Sequence, residues 1–106
     1  MDFMGMMKEA QAMQAKLQEA QDELGRVEVQ GASGGGMVSI TMTAKGDLKS
    51  VSIDPSLLTP SDKEMVEDLI IAAFADAKVK AERAAAEKMQ ALTEGLPLPP
   101  GMKLPF

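Results

Sequence analysis

The chain has 106 residues, ten of them Met and three Phe, with no Cys, His, Trp or Tyr. That composition excludes disulfides, thiol nucleophiles, Cys or His zinc sites and the usual general base, and the length predicts one domain with a modest core. Sixteen acidic residues against eleven basic ones give a formal charge of −5, which by itself opposes a polyanionic partner, because phosphate neutralisation needs gathered Lys and Arg.

The first element predicted is a long helix from Asp2 or Phe3 to about Leu24. Phe3, Met6, Ala10, Met13, Leu17, Ala20 and Leu24 follow one another in alternating steps of three and four, the period of a coiled-coil seam. Such a narrow stripe needs a facing helix, either the second helix of the chain or the first helix of another copy. Asp2 suits the positive end of the helix dipole, and Gly25 reads as the C-terminal stop.

The period then changes to two. Val27 and Val29, then Val38, Ile40, Met42 and Ala44, then Val51 and Ile53 alternate with polar residues, which predicts three strands of an antiparallel meander with one apolar face. Lys45-Gly46-Asp47 reads as a tight hairpin turn, and Gly31 to Gly36 as a looser one. That glycine run matches neither phosphate-binding glycine motif, and no helix follows it, so turn chemistry explains it.

Asp54-Pro55 closes the third strand, and Leu57-Leu58 form an apolar bridge to a second helix from about Asp62 to Thr93. Two caps are available there: Thr59 with Pro60 at the first helical position, or Ser61 with Glu64 as a capping box. Acidic residues crowd the start of this helix and basic ones its later half, in keeping with the macrodipole. Its apolar stripe thins from Val66, Leu69 and Ile70 to Ala73, Ala77, Ala81 and Ala84, which permits close packing. Residues 1–94 are thus expected to form a single α-β-β-β-α domain of the α+β class, with 95–106 as a Leu/Pro-rich tail. Proline bars that tail from the helix, and its Leu96, Leu98, Met102, Leu104 and Phe106 make it too apolar for a simple solvated end.

No catalytic constellation emerges. Glu64, Glu67 and Asp68 sit in the first turns of a helix, where dipole and capping roles are the default, and no nucleophile has a base beside it. The expectation is a protein that is not an enzyme, with no metal, cofactor or small-molecule substrate. No stretch approaches ~18 apolar residues and no signal-type start is present, so no membrane association and a cytoplasmic location are expected. The functional candidates are the basic residues Lys78, Lys80, Arg83 and Lys88 of the second helix, with Lys8 and Lys16 of the first. Against them stand the pairs Asp76–Lys80, Lys78–Glu82 and Arg83–Glu87, whose i,i+4 spacing describes a salt-bridged solvated face.

Three stretches together resemble the YbaB/EbfC family of small bacterial nucleoid-associated proteins. They are Met13-Gln14-Ala15-Lys16-Leu17-Gln18-Glu19-Ala20-Gln21; Ile53-Asp54-Pro55-Ser56-Leu57-Leu58 leading to Glu67-Asp68-Leu69-Ile70-Ile71-Ala72-Ala73; and Gly95 to Phe106. One departure is local: Ala75 precedes Asp76 where the family often has Asn. The resemblance implies a homodimer, weak and salt-dependent binding to double-stranded DNA with little sequence preference, and a nucleoid role in DNA organisation and gene expression. It also places the helix-bearing ends, hence Lys8, Lys16, Lys78, Lys80, Arg83 and Lys88, at the contact region. The competing reading is a protein–protein adaptor or holdase that grips a partner with the Met-rich seam and the Leu-Pro tail, which the acidic balance favours.

Overall fold

A computed structural model describes residues 2–94; the Leu/Pro-rich tail at 95–106 lies outside them. Chain order is α1 (Phe3–Leu24), β1 (Glu28–Ser33), β2 (Val38–Thr43), β3 (Leu48–Ile53) and α2 (Lys63–Glu94). The strands form one antiparallel sheet in the order β1-β2-β3. The α-β-β-β-α succession is therefore the expected one, drawn out to 71 × 23 × 17 Å.

Local chemistry sets the ends of the elements. The Asp2 carboxylate caps α1 by accepting from the Gly5 N–H at 3.0 Å, one of the donors a helix start leaves without an intrahelical partner. Gly25 does end α1, but in right-handed helical geometry, so the stop there does not use glycine's left-handed freedom. The tight hairpin turn does: Gly46 has φ 107°, and the turn closes as Thr43 Oγ1 accepts from the Asp47 N–H at 3.1 Å.

The longer glycine run divides in two. Gly34, Gly35 and Gly36 all have positive φ and make the turn between β1 and β2. Gly31 belongs instead to β1, where it is buried under α2. A Cβ there would stand 2.3 Å from both the Ala73 carbonyl oxygen and the Ala77 nitrogen. Close packing of helix on strand, not turn flexibility, is the reason for that glycine.

The core sits between α2 and the first two strands. Val38, Ile40 and Met42 of the central strand are buried beneath Ala73, Ala77 and Ala81, with Val29, Ile53, Val66, Leu69 and Ile70 around them. Full burial of a side chain such as Ile40 contributes about 1.5–3 kcal/mol. Ser33 adds a direct tie, its hydroxyl donating to the Leu69 carbonyl at 2.6 Å.

The β3 side is different. Val38 pairs with Ile53, Ile40 with Val51 and Met42 with Leu48, with a register shift between Thr41 and Met42. The bulge makes Lys49 the extra residue and keeps Leu48 on the apolar face, a position strict alternation from Val51 would have given to Lys49. Yet Leu48 is 52% exposed and Val51 43%, because α2 does not reach over this edge.

The strand-to-helix corner corrects two expectations. Asp54 accepts from the Ser56 N–H at 2.9 Å and sets a 3-10 turn over Pro55–Leu57 that buries Leu57 but leaves Leu58 exposed. Only one leucine of the pair thus bridges inward, since a 3-10 turn points successive side chains about 120° apart. The entry to α2 is a second 3-10 turn, Pro60–Asp62, preceded by extended Thr59. Thr59 Oγ1 donates to the Asp62 carboxylate at 2.9 Å and meets the Ser61 hydroxyl. Thr59–Pro60 therefore begins the turn, and Ser61, held by Thr59, makes no capping box with Glu64.

Candidate nucleic-acid interface

Two antiparallel helical arms project from the sheet. Ala20 and Leu24 of α1 are buried with Met89 and Ala44, against Ala84, Ala85 and Leu92. Only the C-terminal half of the α1 seam meets α2; Phe3, Met6 and Met7 remain exposed. The Lys88 ammonium pairs with the Glu23 carboxylate and ties the arms together.

The six basic residues do not share one surface. Consecutive residues of a helix turn by about 100°, so Lys78 and Lys80 differ by about 200° and lie on opposite flanks of α2. Lys80 leans over β1, donating to the Gln30 carbonyl at 2.9 Å and pairing with Asp76 at 3.3 Å. Lys78 lies on the other flank, lining a groove of about 290 Å³ with Met42, Ala44, Lys45, Phe74 and Glu82. Lys16 and Lys88 line a second groove, between the arms, where Glu19 and Glu23 balance their charge. Lys8 stands on the part of α1 that extends beyond α2, and Arg83 on the β1 flank, about 140° from Lys78.

Pairing separates these residues into two kinds. Lys80 and Lys88 are in salt bridges, and Lys80 also holds a strand carbonyl. Lys8, Lys16, Lys78 and Arg83 take part in no salt bridge among the described residues. The expected pairs Lys78–Glu82 and Arg83–Glu87 do not form. Fully solvated pairs gain little over two hydrated ions, whereas Asp76 and Lys80 are also held by β1 backbone. The Asp76 carboxylate accepts from the Ala32 N–H at 3.0 Å, and this bond first, then Lys80, lowers its pKa below the usual 3.8.

Two further basic residues emerge from the fold. Lys45, at the β2–β3 turn, lines the Lys78 groove. Ala44 N–H donates to the Val27 carbonyl at 2.9 Å, extending the β1–β2 ladder so that Arg26 falls opposite Lys45. No linear spacing brings Lys45 beside Lys78, because they lie far apart in sequence, and Arg26 is placed opposite Lys45 only by strand register. Among the described residues no group of three or more His, Cys, Asp or Glu is placed to hold a metal ion, and no helix is long and apolar enough to cross a membrane.

Comparison with known proteins agrees with the architecture. Residues 1–96 match the family described as YbaB/EbfC DNA-binding. A nucleoid-associated protein of Nitrobacter hamburgensis is 59% identical over 103 residues, covering 97% of each chain. One of Methylocella silvestris is 57% identical over 105 residues, covering 99% of this chain and 98% of that one. The crystal structure of an uncharacterized protein from Helicobacter pylori superposes with a TM-score of 0.69 at 27% identity, covering 90% of this chain and 96% of that one. By the match along nearly its whole length and by this arrangement of helices and strands, the chain belongs to the YbaB/EbfC DNA-binding family.

Proposed function

We propose that this chain binds double-stranded DNA as a homodimer with little sequence preference, and thereby helps organise the nucleoid and modulate gene expression from the cytoplasm. The observation that carries this reading is the set of cations outside salt bridges among the described residues: Lys78 beside Lys45, with Lys8 and Arg83 on the arms and Lys16 beside the acids of the groove between them. Lys and Arg without carboxylate partners are free to displace counterions from phosphate. Lys80 and Lys88 hold the fold together, which moves them out of the first rank of contacts and brings Arg26 and Lys45 in.

The uncovered β3 edge supports the homodimer. Leu48, Val51 and Phe74 expose apolar surface along one line of the sheet and helix, and a second copy of the same surface is its natural cover. Two copies carry −10. Contact with DNA therefore relies on local cations and weakens steeply with salt.

Fluorescence anisotropy on a random-sequence duplex, with salt raised stepwise, tests the reading. The expected log–log slope is about −0.9 for each phosphate neutralised. Lys45→Gln and Lys78→Gln should each flatten that slope by about two, one phosphate contact per subunit, and Lys80→Gln should leave it unchanged. Absence of binding at low salt and micromolar protein would sink the proposal. Affinity that persisted at ~0.5 M salt would refute phosphate contact as its mechanism.

A further inference from the structure

One flank of α2 is bare. Asp76 and Lys80 reach toward β1 on one side of the helix, while Phe74 and Lys78 face the other way, toward the β2–β3 side of the sheet. Along that second side run Lys63, Glu67, Ile71, Phe74, Lys78 and Glu82, in steps of four, four, three, four and four. At about 100° per residue the six fall within an arc of about 100°, one stripe along the helix. All six are exposed, Ile71 by 67% and Phe74 by 39%. Lys63, Glu67, Lys78 and Glu82 take part in no salt bridge among the described residues.

The stripe is complementary to itself when reversed. A two-fold axis crossing the helix between residues 72 and 73 exchanges Ile71 with Phe74, Glu67 with Lys78 and Lys63 with Glu82. A second copy of α2 laid antiparallel on this flank therefore sets apolar against apolar at the centre and acid against base at every charged position beside it. A two-fold interface demands this, since each contact between i and j is repeated between j and i. A merely solvated face has no need of it. The sheet also has room for the second helix. The core places α2 over β1 and β2. With strands about 4.8 Å apart, β3 lies about 7 Å from the midline of β1 and β2. Packed helices stand about 8–10 Å apart, so a helix beside α2 on this flank comes over β3. Leu48 and Val51 are the side chains left uncovered there.

We propose that two copies of this chain associate through antiparallel α2 helices, with Ile71 on the partner's Phe74, Glu67 paired with the partner's Lys78, and Lys63 with the partner's Glu82. Each α2 then covers β3 of the other copy. This rests on the homodimer put forward above and gives it a register. The Lys78 pair is exposed and so contributes little, and its ammonium gives up the partner's carboxylate for a phosphate when DNA is present.

Charge reversal in the full-length protein tests the register, with self-association read by sedimentation equilibrium. Lys63→Glu sets like charges at both ends of the seam, and so does Glu82→Lys; each should weaken association by about tenfold. Both positions are exposed, so the fold is kept. Joining the two substitutions in one chain should restore association. Mixing the two single variants should restore it as well, because each supplies the charge the other lacks. Glu87→Lys makes the same charge change about 140° away around the helix and should leave association as it is. A dimer indifferent to Lys63→Glu and Glu82→Lys, one weakened equally by Glu87→Lys, or a double variant no better than either single would overturn this register and leave the homodimer standing. A parent chain that stays monomeric at micromolar concentration would overturn both.

Discussion

The two edge strands of the sheet meet opposite fates. Along β1, α2 packs so tightly that Gly31 has no room for a side chain, Asp76 accepts from the Ala32 N–H, and Lys80 donates to the Gln30 carbonyl. Two of the backbone groups facing away from the sheet already have partners there, which hinders pairing with a further strand. Along β3, Leu48 and Val51 carry apolar side chains that no helix covers. Small residues cause the difference: Ala73 and Ala77 opposite a glycine let the helix settle over β1 and β2, and a helix about 10 Å wide cannot also cover β3. One edge of the sheet is closed by α2 and the other is left open.

The closed edge breaks most severely at Gly31. Gly31→Ala must push α2 away, because the atoms it meets are backbone at both Ala73 and Ala77. A loss of about 3 kcal/mol is expected in chemical denaturation. Parent-like stability would mean that α2 does not press on β1.

The open edge is probed by Val51→Glu. The folded chain should tolerate it, since Val51 is already 43% exposed, while self-association weakens by roughly 2 kcal/mol, about thirtyfold. Sedimentation velocity reads this directly, and an unaltered assembly would remove β3 from the interface.

Asp76→Ala gives a smaller loss, and its pH dependence is the diagnostic feature. The folded pKa of Asp76 lies below its ordinary 3.8, chiefly through the Ala32 N–H and then Lys80. Its contribution is therefore fully present above that ordinary value and disappears as the pH falls through the lowered one. Thermal melts of parent and variant should differ at neutral pH and converge in acid; a constant gap would contradict the carboxylate's part in it. Smallest of all is Lys88→Ala, which opens the tie between the arms without touching either edge. Exposed pairs of this kind contribute about 0.5 kcal/mol, and the difference should shrink further at high salt.

Much of this architecture was legible in linear spacing. Steps of three and four marked α1, alternation marked the strands, and Lys45-Gly46-Asp47 marked the hairpin, because each depends on neighbours a few residues apart. Gly31 was misread as part of a turn, since its reason lies in Ala73 and Ala77, more than forty residues away. Leu48 escaped notice because a bulge, invisible to a strict period of two, returns it to the apolar face. The candidate site was legible by residue type only. Lys8, Lys16, Lys78, Lys80, Arg83 and Lys88 stand out as cations, but Arg26 comes opposite Lys45 through strand register, and Lys45 comes beside Lys78 through the packing of α2 on the sheet.

By itself the sequence determined the order of the elements, their approximate ends and the apolar face of each, because periodicity and caps act within a turn or two of chain. Only the tertiary structure decided which faces are covered and which charges are free. Lys80 is held by Gln30 fifty residues earlier, and Lys88 by Glu23 on the other arm. Lys78, of the same type on the same helix, is held by neither a strand nor an acid. Whether a side chain is buried, paired or bare depends on what the folded chain brings against it, and that is a property of distances in space.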